Sequence, residues 1–307
     1  MNISTRWWPA RIWPRPRPST TCWRWPVSPD TPLPAPGETG RSRGGMRPRR
    51  HKVMLEDGPA SWLETEQGGG VPLVLLHGLG GDALTWQFNV TAFAGGERKV
   101  LALDLPGHGA STLDVGGARV RDLADWVENL LDQCCLGRVD LVGHSLGARV
   151  ALDLAHRPGR VRRASLLACA GLGSDLDYGF LDRLAGAADI AQARAVAAAL
   201  FAQPDQLVEP LARALALRMT DAAARQAVGV ILAANRDDLG EKLVARDWAP
   251  PGVALQLIWG AEDRIVPPPA AELIPTRIPL YLLPGAGHMP HVEAASRVNE
   301  LVRSFHA

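Results

Sequence analysis

Cysteine is scarce in this 307-residue chain, and its distribution excludes a disulfide scaffold. The four residues Cys22, Cys134, Cys135 and Cys169 show no C-x-x-C spacing and none of the density of a stapled secreted domain. A reducing, cytoplasmic setting is therefore the default expectation. Long apolar runs are also lacking. No stretch approaches the ~20 residues needed to cross a bilayer, so no membrane span is expected. Neither G-x-G-x-x-G nor Gly-Lys-Ser/Thr follows a strand-like run, which excludes the familiar phosphate cradles. No His/Cys/Asp cluster has metal-ligand spacing, so neither metal nor cofactor is implied. Basic charge is missing from most of the chain. The net formal charge is +1, but residues 1–52 hold ten Arg and one Lys against Asp30 and Glu38, a balance of +9 that leaves the remainder at −8. That body offers no basic face for nucleic acid.

The first 52 residues differ in kind from the rest. Trp7, Trp8, Trp13, Trp23 and Trp25 are half of the chain's ten tryptophans, interleaved with Pro14, Pro16, Pro18 and many arginines without helical or strand period. Proline at that density removes donors and fixes dihedrals, so neither ladder nor helix propagates. The expectation is a disordered Arg/Pro/Trp-rich leader over 1–52, with Met46 or Met54 as the true start. The alternative is a basic, aromatic arm for nucleic acid or membrane surfaces. No apolar h-region follows the positive residues, and Arg49-Arg50 lacks the hydrophobic core of a twin-arginine signal.

From residue 53 the pattern becomes regular. Val53 to Thr65 reads as an opening hairpin, broken by Gly68 to Gly70. Pro72–His77 and Lys99–Asp104 are continuous apolar runs of strand length, the mark of parallel strands covered on both faces. A helix follows with the apolar stripe Val120, Leu123, Val127, Leu130, Leu131 and Cys134. Further strand-like runs occur at Val139–Gly143, Ala164–Ala170, Ala254–Trp259 and Pro279–Leu283. Strands alternating with helices imply an α/β fold with a mostly parallel sheet flanked by helices. Residues 53–172 and 253–307 form its core. The Ala/Leu-rich segment 173–252, broken at Pro204 and Pro210, reads as several short helices inserted as a cap above the strand ends, where ligands bind in such folds. No residue in it is assignable to substrate.

Gly143-His144-Ser145-Leu146-Gly147 stands between a strand-like run and the helical pattern of Ala148–Ala155. A G-x-S-x-G in that setting is a nucleophile elbow: the strained turn needs small residues two before and two after the serine. A serine hydroxyl needs a base, and the base an orienting acid, in the order Ser, acid, His in this architecture. Asp263 follows the strand Ala254–Trp259, and His288 lies on the glycine-rich loop after Pro279–Leu283. Rivals are Glu262, Asp175 or Asp177 for the acid and His291 for the base, the latter read as surface or pocket wall. Asp104 and His108 read as loop organisers. The backbone N–H groups of Leu146 and Leu79 are the expected oxyanion donors, the latter within His77-Gly78-Leu79-Gly80.

The stretches LVLLHGLGG, ALDLPGHGAS, LVGHSLGARVAL, LIWGAEDRIVP and LPGAGHMPHVEA together resemble the α/β-hydrolase fold family over roughly residues 53–307. More narrowly, WQFN, CAGLGSDLDYGFLDRL and VEAASRVNELVRSF resemble the hydrolase-like domain of the acetoin dehydrogenase dihydrolipoyl acetyltransferase component. That family usually carries a lipoyl domain ahead of this one. Here only Lys52, Lys99 and Lys242 occur, none in a lipoyl-like hairpin, and the His-x-x-x-Asp-Gly motif of conventional dihydrolipoyl acyltransferases is missing. The leading expectation is a serine hydrolase acting on a small ester, thioester or related carbonyl compound through an acyl-enzyme on Ser145. The resemblance implies acyl transfer to dihydrolipoamide as the alternative, with association to a 2-oxoacid-dehydrogenase-like complex. A non-catalytic binding or scaffold protein is the third reading.

Overall fold

The computed structural model describes residues 47–65, 68–95, 98–172, 176–203, 207–240, 250 and 252–307. Among them an eight-stranded sheet forms from β1 (Arg49–Leu55), β2 (Gly58–Glu64), β3 (Leu73–Leu76), β4 (Val100–Asp104), β5 (Val139–His144), β6 (Val161–Leu167), β7 (Ala254–Gly260) and β8 (Leu280–Leu283). Its spatial order is β1-β2-β4-β3-β5-β6-β7-β8. β1 and β2 are an antiparallel hairpin, and β2 pairs antiparallel with β4. Every later pairing is parallel.

The continuous apolar runs behave as expected: every residue of β3, β4 and β5 is buried. Alternation still divides them between two cores. Val74, Leu76, Leu101 and Leu103 face one core, with α2 (Val120–Gln133) and α3 (Leu146–Ala155). Leu73, Leu75, Val100 and Ala102 face the other, with α1 (Val90–Ala94) and Val298, Leu301 and Val302 of a C-terminal helix. A sheet buried on both faces leaves its strand ends as the exposed functional edge.

Among the described residues between β6 and β7 are the helices α4 (Tyr178–Gly186), α5 (Ile190–Ala199), α6 (Val208–Thr220) and α7 (Ala222–Gly240). The chain closes with α8 (Pro290–Glu293) and α9 (Ala295–His306). The break expected at Pro204 lies outside the described residues. Pro210 does not break its helix. It occupies the first turn of α6, where the missing N–H has no intrahelical acceptor to lose. The inserted helices join the first core through Phe180, Leu181, Leu184, Val228, Ile231 and Leu232. Asn235 of α7 is fully buried, accepting from the Val120 N–H (2.8 Å) and donating to the Ala118 carbonyl (2.7 Å), so it anchors α7 to the start of α2.

The expected leader boundary falls inside β1. Residues 1–46 lie outside those described, but Arg49 to Lys52 are strand, paired with Glu64 to Ser61. The largely polar run conceals an edge strand. Arg50 also reaches the fully buried Asp104, Nη1 to Oδ2 at 2.5 Å, and the Ser61 hydroxyl at 2.7 Å. A chain beginning at Met54 would lose five of the seven β1 residues and leave the Asp104 carboxylate short of its cation. Against a chain beginning at Met46, its thermal midpoint is expected to fall by about 5 °C or more, since uncovering a buried carboxylate costs a few kcal/mol. Calorimetry of the two chains checks this, and equal midpoints would contradict it.

Candidate active site

β5 ends at His144 and α3 begins at Leu146, so Ser145 alone makes the turn, at φ 52° and ψ −116°. A non-glycine residue there stores on the order of 1–3 kcal/mol of strain. The surroundings hold it. The Ser145 N–H donates to the Leu167 carbonyl (2.9 Å), and its own carbonyl accepts from Ala148 and Arg149 (3.1 Å each). A Cβ at Gly143 would lie 2.4 Å from the Gly147 carbonyl oxygen, and one at Gly147 would lie 2.3 Å from that of Leu76. Both glycines of the motif are thus required by backbone-to-backbone approach.

Asp263 follows β7 and is buried, whereas Glu262 beside it is exposed. Its Oδ1 accepts from the N–H groups of Ile265 (2.9 Å) and Val266 (3.0 Å), and its Oδ2 lies 2.8 Å from His288 Nδ1. A carboxylate can only accept, so Nδ1 carries the proton and Nε2 is left as the basic nitrogen. Of the rival acids, Asp177 caps α4 by accepting from the Phe180 N–H (2.8 Å), and Asp175 lies outside the described residues. The structure thus pairs Asp263 with His288, the two expected residues.

Three elements orient His288. Besides Asp263, the Leu200 carbonyl accepts its backbone N–H (2.9 Å), and His144 Nε2–H donates to its carbonyl (2.7 Å). The His144 and His288 rings lie 4.8 Å apart, which brings His288 beside the residue preceding Ser145. His144 went unnoticed in the sequence, where it reads as the variable position of G-x-S-x-G. Burial, then the neighbouring His291 and His288, holds its pKa well below the ordinary imidazole value.

His291 is not a surface residue. It is fully buried, wedged at tilted angles between the rings of Trp86 (4.5 Å) and His144 (4.6 Å), and neither ring nitrogen has a hydrogen-bond partner. Burial in this aromatic sandwich drives its pKa down to about 3. It packs behind the His288 loop as a neutral ring.

The loop after β3 is braced from several directions. His77 Nδ1–H donates to the Gly78 carbonyl (2.8 Å) while its Nε2 accepts from the Leu105 N–H (3.0 Å). His108 Nε2 accepts from the Gly80 N–H (2.9 Å), its Nδ1–H being given to the Pro106 carbonyl. Burial lowers the pKa of both rings, keeping one nitrogen of each available as an acceptor. Asp104 accepts from the N–H groups of Ala83 (2.8 Å) and Ala110 (3.0 Å). Both residues expected to organise loops do so. Leu79, Leu146 and Ser145 line one narrow cleft, whose walls are completed by Ala170, Leu176, Leu181, Ile231, Leu232, Ile265 and Val266. Leu146 is the first residue of α3, where a backbone N–H has no intrahelical acceptor. Among the described residues no group of three His, Cys, Asp or Glu side chains could hold a metal ion, and no helix is long and apolar enough to cross a membrane.

Residues 73–301 match the alpha/beta hydrolase family. The chain is 37% identical over 251 residues to the dihydrolipoyllysine-residue acetyltransferase component of the acetoin cleaving system of Pseudomonas putida, covering 80% of this chain and 65% of that protein. It thus spans less than two thirds of that relative. It is 29% identical over 253 residues to the 2-hydroxymuconate semialdehyde hydrolase of Pseudomonas sp. strain CF600, covering 78% of this chain and 88% of the other. Among solved structures it is similar to 2-hydroxy-6-oxo-6-phenylhexa-2,4-dienoate hydrolase from Rhodococcus sp. strain RHA1, with a TM-score of 0.72, 18% identity, and coverage of 84% and 99% of the two chains. At that identity the likeness is one of fold.

The buried neutral imidazoles set an acid limit on stability. Below pH ~6.5 the unfolded chain binds protons that folded His291 refuses, so stability is complete above that pH and is lost as pH falls toward about 3. Replacing His291 by Phe should flatten the loss by up to about 1.4 kcal/mol per pH unit. Urea unfolding of both proteins at pH 7, 6 and 5 measures the slopes, and identical slopes would contradict the assignment.

Proposed function

This chain belongs to the alpha/beta hydrolase family, and on that footing we propose that it is a serine hydrolase that cleaves a small ester, thioester or related carbonyl compound through an acyl-enzyme on Ser145. The observation that carries the proposal is the 2.8 Å Asp263–His288 pair, whose imidazole lies 4.8 Å from the ring of His144, the residue before the serine held in the elbow. In this mechanism Nε2 takes the Ser145 hydroxyl proton as Oγ attacks the carbonyl carbon. The N–H groups of Leu79 and Leu146 receive the negative charge that develops on the carbonyl oxygen. Collapse expels the alcohol or thiol, protonated by His288. Water, deprotonated by the same nitrogen, then releases the acid. Asp263 holds the imidazole in the required tautomer throughout.

The cleft supports a small, apolar acyl group. Apart from Ser145, its lining is entirely aliphatic, drawn from the strand-end loops and from α4 and α7 of the inserted segment, which is read here as a cap. Such walls reward burial of methyl and methylene groups and offer no counter-charge to a carboxylate.

The second reading is transfer of an acetyl group to a dithiol such as dihydrolipoamide on another protein, within a 2-oxoacid-dehydrogenase-like complex. The 37% identity to the acetoin-system acetyltransferase component favours it. Both readings share the Ser145 acyl-enzyme and differ in whether water or thiolate resolves it.

Turnover of p-nitrophenyl acetate should fall on the order of a millionfold in Ser145→Ala and about ten-thousandfold in Asp263→Asn, which leaves the wrong tautomer. A Ser145→Ala protein with most of its activity intact would sink the mechanism. Adding dihydrolipoamide to the wild-type reaction separates the two readings. Hydrolysis predicts free acetate as the sole product, whereas transfer predicts acetyl-dihydrolipoamide.

A further inference from the structure

The inserted helices do more than line the cleft, because they bond to the backbone on both sides of it. Arg218, in the last turn of α6, donates from Nη1 to the Gly80 carbonyl and from Nη2 to Asp82 Oδ2. These side chains are largely withdrawn from solvent, at 15% and 17% exposure, so water competes weakly for the contact. Gly80 is thereby held at both ends of its residue: the core's His108 takes its N–H and the cap's Arg218 takes its carbonyl. Across the site the Leu200 carbonyl at the end of α5 accepts the His288 N–H, and the Glu293 carboxylate bridges the N–H groups of Ala202 (2.7 Å) and Gly287 (2.8 Å).

The loop held by Arg218 needs such an anchor. Three of its four residues from Gly78 to Gly81 are glycine, and Gly80 sits at φ 73°, so the backbone has little conformational preference of its own. Oxyanion stabilisation demands the reverse: an N–H fixed in place before charge develops, with no reorganisation during the reaction. His108 and Asp104 fix the loop to the sheet edge, but the carbonyl face of Gly80 is secured from α6. A guanidinium suits this task because its planar fork reaches a carbonyl and a carboxylate at once, which a lysine ammonium on its flexible stem does less rigidly.

We propose that Arg218 is a positioning residue for the oxyanion hole, fixing the Leu79 N–H from the cap so that the seated cap completes the catalytic geometry. The proposal rests on the roles of Ser145 and Leu79 given above. It makes the inserted segment part of the chemical apparatus as well as a cover for substrate. It also places the selectivity of the reaction partly in kcat, because a substrate that fails to seat α6 leaves the hole unformed.

The test uses the full chain with Arg218→Ala and Arg218→Lys. Four quantities are read: thermal midpoint, hydrogen–deuterium exchange of the peptide containing residues 78–82, kcat and KM on p-nitrophenyl acetate, and affinity for a trifluoromethyl ketone. That ketone forms a tetrahedral oxyanion on the serine. Arg218→Ala should exchange faster over 78–82 and lose about 10- to 100-fold in kcat with KM within about threefold. It should bind the ketone correspondingly more weakly, and Arg218→Lys should recover part of each loss. Unchanged exchange over 78–82, or faster exchange with wild-type kcat and ketone affinity, would overturn the proposal. If only the midpoint falls, the contact is structural and the proposal fails. Should Arg218→Ala not fold, Asp82→Asn removes the anionic half of the clamp and is read the same way. Exchange over 78–82 is independent of turnover, so a failure of the acyl-enzyme reading, seen as wild-type activity in Ser145→Ala, is distinguishable from a failure of the clamp.

Discussion

The backbone of Ser145 is held at φ 52° between a strand and a helix, and the rest of the site follows from that constraint. The turn survives only where two glycines allow the start of α3 to press against the ends of β5 and β3, with separations that no Cβ could share. The strain, on the order of 1–3 kcal/mol, is small against the burial of two apolar cores around the sheet, so the fold can hold the serine where an isolated turn would relax. Once the serine is fixed, the neighbouring strand ends have set places around it. β3 delivers the glycine loop, β7 the Asp263 carboxylate and β8 the His288 loop. The parallel sheet therefore works as a jig, each strand ending at the same edge with a different functional group.

Neutral histidine is the second material of the site. His77, His108, His144 and His291 are all buried close to the cleft, and burial lowers the pKa of each. Neutral imidazole offers one donor and one acceptor on a rigid ring, which lets His77 and His108 link loop amides to loop carbonyls without burying a charge. His144 donates to the backbone carbonyl of His288. For the unpartnered nitrogens of His291 the packing against Trp86 and His144 gives shape but no hydrogen bond. The arrangement gives a stiff polar lattice around the proposed catalytic groups and makes the protein acid-sensitive.

Much of this was legible in the sequence because it is local. The run that becomes β3 is wholly apolar, that of β4 is apolar up to its last residue, Asp104, and that of β5 carries Asp140 and ends at His144. The elbow is five residues long, and Asp263 and His288 each follow a strand within a few positions. The chain was opaque where contacts are distant or where one face of an element is idle. Arg218 and Gly80 are 138 residues apart, and nothing around Arg218 marks it among thirty arginines. The first half of β1 reads as part of a disordered leader because Arg49 to Lys52 are all polar, although Arg50 turns inward to the buried Asp104. For His291 a short helix after proline suggests exposure, whereas Trp86 from a distant turn closes over it. Pro210 was read as a break because composition does not say whether a proline falls in the first turn of a helix or its middle.

If Ser145 carries the acyl group, the intermediate can be trapped on it. The protein would be mixed with excess p-nitrophenyl acetate, quenched in acid within a second and digested, and its peptides weighed. One acetyl group is expected on the peptide containing Ser145, absent from the Asp263→Asn protein under the same brief exposure. An acetyl group found on another residue, or rapid turnover with every peptide unmodified and no burst of p-nitrophenol, would contradict it.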